Sequence, residues 1–113
     1  MTAEEFYIGY LEETLGVPTF AERPEYPPEE WVRIEQTGGG ERDHIATAVL
    51  AVQSYAPTRY RASALNQRVI AAMQNSIGRP EISRCALNSN YPFDDTTRKE
   101  HRYQAVFDLV VLF

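Results

Sequence analysis

The sequence predicts an α+β fold: a single two-layer domain over residues 1–113, with helices packed on a mainly antiparallel four-stranded sheet in the order α-β-β-α-β-β and with scope for one short extra strand. Three observations carry that expectation. Residues 31–37 alternate apolar and polar and lead, past three glycines, into an apolar run over 45–54. A helix-spaced apolar stripe follows over 58–77. The chain then closes with two more strand-like runs, 81–87 and 100–113. Elements of these kinds bury their apolar faces most simply as helices laid on a sheet.

The first helix is announced by Thr2-Ala3-Glu4-Glu5, a capping-box pattern in which a threonine hydroxyl and a glutamate three residues on satisfy free backbone N–H groups. It is predicted from Ala3 to Leu15, with Phe6, Tyr7, Tyr10, Leu11 and Leu15 on the apolar side. Glu4, Glu5, Glu12 and Glu13 face water or a partner, and Gly16 ends the helix. In residues 17–30, Pro18, Pro24, Pro27 and Pro28 exclude helix and interior strand, since each removes a backbone donor and fixes φ. Phe20, Tyr26 and Trp31 read as apolar anchors of an ordered loop. The alternative is a stiffened docking surface for another chain.

Residues 31–37 alternate as a strand with one wet face does. Gly38-Gly39-Gly40 is read as the hairpin turn, because glycines adopt positive φ without a steric penalty. The returning run is apolar on both alternating faces, which suits an interior strand covered on both sides. Ala46, Ala48 and Ala51 leave room there for a bulky cover. That cover is the next helix, with Pro57 in its first turn and Ala62, Leu65, Val69, Ala72, Met73 and Ile77 as its stripe. Gly78 and Pro80 stop it. Residues 81–87 form a strand, 88–97 a loop rich in turn formers, and 100–113 a strand inside the sheet paired with 81–87. Strand order stays open, since the two hairpins can join through either of their strands.

The charge of −5 is unevenly spread. Residues 1–30 hold eight glutamates against Arg23 alone, a balance of −7, and the rest carries +2. An acidic excess with a single lysine argues against a protein that grips phosphates, because such binding relies on clustered cations displacing counterions. Arg59, Arg61 and Arg68 form a basic helix face of limited extent. No apolar run reaches about 18 residues and no leader pattern is seen, so a soluble, non-exported chain without a membrane partner is expected. Cys85 is alone, which excludes an internal disulfide and a cysteine metal cage and leaves a small buried hydrophobe.

Phosphate-cradling loops, nucleophile elbows and His-Glu-x-x-His are all missing. Two polar clusters remain, Glu41-Arg42-Asp43-His44 past the glycines and Asp94-Asp95 ahead of His101. Neither has a recognised ligand or acid/base spacing. An enzyme requires them to converge in one pocket; an assembly protein leaves them scattered at strand ends.

The run 33–40, Arg-Ile-Glu-Gln-Thr-Gly-Gly-Gly, the following Asp43-His44-Ile45-Ala46-Thr47-Ala48-Val49-Leu50-Ala51-Val52-Gln53-Ser54-Tyr55-Ala56, the helix after it and Arg102-Tyr103-Gln104-Ala105 together resemble tail-terminator or tail-completion proteins of long-tailed phages and prophages. The resemblance implies a structural subunit that closes into a hexameric ring on the tail tube, stops tube polymerisation and offers its other face to the head-tail connector. It implies no cofactor and no reaction, assembly in the host cytoplasm and residence in the virion neck. DNA would pass through the ring lumen without sequence-specific binding. A neck or head-completion protein is the alternative, with a small nucleic-acid-binding protein or enzyme behind it. Unlike patches meet around a ring. The candidate patches are Glu4, Glu5, Glu12 and Glu13 on the first helix, Gly38, Gly39, Gly40, Glu41 and Arg42 on the hairpin, and Asp94 and Asp95 before the last strand.

Overall fold

A computed structural model describes every residue except His44 and Lys99. Helix α1 spans Ala3–Leu15 as the sequence predicts. Thr2 Oγ1 accepts the Glu5 N–H at 3.1 Å, and Gly16, at φ 66°, donates its own N–H to the Glu12 carbonyl. The expected short extra strand is β1, Thr19–Phe20. Strands β2 (Trp31–Arg42) and β3 (Ile45–Ala56) form the first hairpin, and β4 (Ile82–Pro92) and β5 (His101–Val111) form the second. Between them lies α2, Arg59–Asn75, extended by a 3-10 turn at Ser76–Gly78. The sheet order is β1-β2-β3-β5-β4, antiparallel throughout except for the parallel β1–β2 contact. The hairpins therefore join through β3 and β5, and β5 is interior as expected.

Both helices lie on one face. Tyr7 and Leu11 of α1 and Leu65, Val69 and Met73 of α2 share one buried cluster with Val32, Ile34, Leu50, Val52, Phe107 and Leu109. Each such side chain contributes about 1.5–3 kcal/mol when fully buried. Tyr10 donates its hydroxyl to the Ala72 carbonyl at 2.6 Å, and Ser76 Oγ, itself 2.8 Å from the Tyr7 hydroxyl, donates to the Met73 carbonyl. Tyr10 thus bonds a carbonyl of the last turn of α2 directly, and Tyr7 reaches another through the Ser76 hydroxyl.

Several expectations are corrected. The three glycines are not the turn: β2 runs straight through them, pairing Gly38 with Val49, Gly39 with Ala48 and Gly40 with Thr47. Thr37 is the extra residue of a bulge. Gly39, at φ 140°, approaches β3 so closely that a Cβ would stand 2.3 Å from the Thr47 carbonyl oxygen. The chain reverses instead beyond Arg42, where Asp43 adopts φ 52°, a left-handed conformation that Asp tolerates better than most residues. Pro57 precedes the helix, and Thr58 is the cap, accepting the Arg61 N–H. Ile77 lies past the helix end, 59% exposed, and the polar Asn66 joins the buried stripe, donating to Asn90 Oδ1 at 2.8 Å. Strand β4 continues five residues beyond Leu87. Bulges at Ser83 and Asn88 break its alternation, and an edge strand with one wet face accepts polar residues there. Tyr26 is 86% exposed and anchors nothing, whereas Trp31 is buried. Among the described residues no second helical layer covers β3; on its other face, the side of Ala51, Tyr55 is covered by Trp31 and by Arg23 of the proline loop.

Replacing Gly39 by alanine should lower stability by about 1–3 kcal/mol through forced strain, whereas Gly40→Ala, with open space around it, should stay within about 0.5 kcal/mol of the parent. Urea denaturation of the two variants decides this, and equal effects would contradict the close approach at Gly39. Burial pushes the phenols of Tyr7 and Tyr10 and the thiol of Cys85 upward. These groups hold their protons more tightly folded than unfolded, so their contribution is complete below the unfolded pKa of roughly 8.5 for Cys and 10 for Tyr and is lost as pH rises above it. The denaturation midpoint should fall above about pH 9, and Tyr7→Phe should flatten that fall.

Candidate interface surfaces

The two polar clusters lie at opposite ends of the sheet. Asp43 is two residues before Ile45, which starts β3, while His101 pairs with Ala56, which ends it. A separation of eleven residues along one strand is roughly 36 Å. His44 lies outside the described residues. Asp95 Oδ1 accepts the N–H groups of Thr97 and Arg98, an arrangement that holds its carboxyl below the ordinary value, chiefly through the Arg98 N–H. Asp94 Oδ1 accepts the Arg102 N–H and stands 3.8 Å from His101 Nδ1. Both aspartates therefore build the turn between β4 and β5. Glu41 and Arg42 lie on the exposed end of β2, with Arg42 Nε 4.0 Å from the Asp43 carboxylate. Among the described residues, no three His, Cys, Asp or Glu side chains come close enough to share a metal ion, and no helix is long and apolar enough to cross a membrane.

Three of the four glutamates on α1 have partners within the chain. Glu4 accepts the Gln36 N–H at 2.8 Å, Glu12 accepts the Thr19 N–H at 3.3 Å, and Glu13 pairs with Arg79 at 3.5 Å. They fasten α1 to β2, β1 and the turn after α2. Glu5 is exposed.

Two other surfaces stand out. The first is the exposed part of the β2–β3 hairpin, residues 36–43 and 45–47. All of β2 from Gln36 onward is exposed, and Ile45 is 48% exposed. A cleft of about 370 Å³ borders this arm between Ala3, Gly39, Gly40, Ala46 and Phe113, and another of about 420 Å³ lies against Glu41, Asp43 and Ile45. Gly39, Gly40 and Ala46 leave the first of these open, because no long side chain fills the space beside the ladder.

The second is the sheet face away from the helices, organised by residues that alternation alone did not single out. Trp31 and Tyr55, a directly paired couple, stack with ring centroids 4.0 Å apart and planes 7° from parallel. Arg23 lies 5.6 Å from the Trp31 ring and pairs with Glu100 at 2.6 Å. Arg102 lies 4.3 Å above Phe93 and donates to the Tyr55 hydroxyl, which donates to Gln53 Oε1. Gln53 then donates to Gln104 at 2.7 Å, and Gln104 to the Tyr91 hydroxyl. The sequence signal was the register itself: Trp31 meets Tyr55 through β2–β3, Gln53 meets Gln104 through β3–β5, and Gln104 meets Tyr91 through β4–β5. Arg61 holds Glu29 and Glu30, pinning the loop's end to α2.

No protein-family model matches the sequence, and no curated protein matches it.

Proposed function

We propose that the chain is a structural assembly subunit of the tail-terminator kind. Six copies close into a ring that caps a tail tube, stops its polymerisation and offers the opposite face to a head-tail connector. The observation that supports this reading most is the hairpin arm of residues 36–47. It carries half-exposed Ile45 and borders a cleft opened by Gly39, Gly40 and Ala46. An exposed apolar side chain and a separate cleft on the same molecule are unlike surfaces, which is what head-to-tail contact around a ring requires. The sequence resemblance covers the same arm and the strand paired to it. The acidic N-terminal third gives such a ring walls that repel DNA phosphates, so a genome can pass without adhering. On this reading the ring is built in the host cytoplasm and stays in the virion.

Light scattering over a concentration series, with and without tail-tube protein, tests the assembly. The expected species has a mass near six times 12.9 kDa and a ring outline by electron microscopy. Ile45→Asp should abolish it while leaving the unfolding free energy within about 0.5 kcal/mol of the parent, since the side chain is half exposed. A chain that stays monomeric even with tail-tube protein sinks the reading. Salt-sensitive retention on duplex DNA would favour the nucleic-acid class instead.

A further inference from the structure

The outer edge of β2 is only partly closed. Strand β1 pairs with Val32 and Arg33, and the next outward donor, the Gln36 N–H, is taken by the Glu4 carboxylate. Beyond that point no strand among the described residues pairs with the outer side of 38–42, although the Gln36 side-chain amide donates to the Gly38 carbonyl at 3.1 Å. The Gly40 N–H faces β3, donating to Thr47 Oγ1 at 3.2 Å, so the alternation of an antiparallel ladder turns the amides of Gly39 and Glu41 outward. Glycine places no side chain over this edge. A bare main-chain edge recognises another extended main chain.

The opposite edge of the same sheet has a matching window. Bulges at Ser83 and Asn88 bend β4 and guard most of its length, but residues 84–87 between them pair regularly with β5. Following the register across the sheet, Gly40 is level with Thr47, Val110 and Arg84, and Gly38 is level with Val49, Asp108 and Ala86. The free segment of β2 and the regular window of β4 thus stand at the same height on opposite edges. Successive strands of the sheet from β2 to β4 alternate in direction, so a second copy placed beside the first meets β2 with β4 running antiparallel.

We propose that adjacent copies are joined by antiparallel main-chain pairing between residues 38–42 of β2 in one copy and 84–87 of β4 in the next, so that the sheet continues across the contact. This rests on the self-assembly reading and specifies its interface. The contact is head-to-tail, with each copy using one edge of each kind, and it closes when the rotation per copy divides a full turn.

Hydrogen–deuterium exchange of the intact chain, compared between dilute monomer and assembled sample, tests it. The Gly39 and Glu41 amides and the peptide over 84–87 should exchange at least about tenfold more slowly once assembled. Glu41→Pro, which removes an outward main-chain donor of the free edge, should raise the concentration needed for assembly several-fold, whereas Glu41→Ala, which keeps that donor, should not. Assembly that leaves both segments exchanging as in the monomer overturns the edge pairing while sparing the ring reading. A species that stops at two copies, with protection of 38–42 alone, means that β2 pairs with itself and overturns the proposal. A chain that never assembles overturns both.

Discussion

The eleven-pair ladder between β3 and β5, from Ala46 opposite Val111 to Ala56 opposite His101, is the constraint on which the rest of the structure depends. It is the one long ladder here without a bulge; the β2–β3 and β4–β5 hairpins each carry register shifts. Because side chains alternate strictly with position, an unbroken register fixes which residues face the helices for both central strands at once. Leu50 lies beside Phe107 and Val52 beside Ala105 on one face, while Gln53 lies beside Gln104 and Tyr55 beside Arg102 on the other. A slip by one residue would present the glutamines to α2 and leave Phe107 in water. Helix α2 enforces the register by burying Leu65, Val69 and Met73 against that apolar face, and α1 secures α2 in turn through the tyrosine hydroxyls at its C-terminal end.

Much of this was legible because its causes are local. Thr2 and Gly16 bracket the first helix by capping chemistry, and the apolar ending of the last strand marked it as interior. The glycine run misled because three glycines signal conformational freedom without saying what it is for. Here it serves close approach inside a ladder, a need set by the Thr47 carbonyl on the partner strand, which no reading of residues 38–40 alone reveals. The extension of β4 was hidden for a related reason. Asn88, Ser89 and Asn90 are good turn formers, and only pairing with Ala105 and Val106 of an already ordered β5 holds them extended. Of the candidate surfaces, the hairpin was identifiable from composition. On the acidic helix face, Glu4, Glu12 and Glu13 also bond Gln36, Thr19 and Arg79, contacts between residues distant in sequence or across a turn that the helix pattern does not show.

The face away from the helices explains how a proline-rich segment stays ordered without secondary structure of its own. Arg23 reaches over Trp31 and Tyr55 and ends on Glu100, and Arg61 takes Glu29 and Glu30. The first set is partly buried and reinforced by aromatic stacking, where charge and ring contact together outweigh the small contribution of an exposed ion pair. Prolines reduce the entropy lost on ordering the loop, so few fasteners suffice. The acidic balance of residues 1–30 is therefore partly offset within the fold: Glu30 is matched by Arg61 and Glu13 by Arg79, while the loop's own Arg23 pairs with Glu100 outside the segment.

Order is distributed unequally along the sheet. Near Trp31, Tyr55 and Arg102 both faces are occupied, by helices on one side and by the aromatic and amide network on the other. Toward residues 38–42 neither face is closed, and three glycines there carry the largest conformational entropy of any residue. That part of β2 is held chiefly by its ladder to β3, which is rigid because β5 secures it from the other side. The arm is consequently the region where local opening should be easiest in an isolated chain. It is also where an added strand has most to gain, since pairing would satisfy free main-chain groups without displacing any side chain. A segment marginal alone and completed by a neighbour links assembly to folding: the central ladder supplies a fixed template, and the contact supplies the order that the monomer lacks at its exposed end.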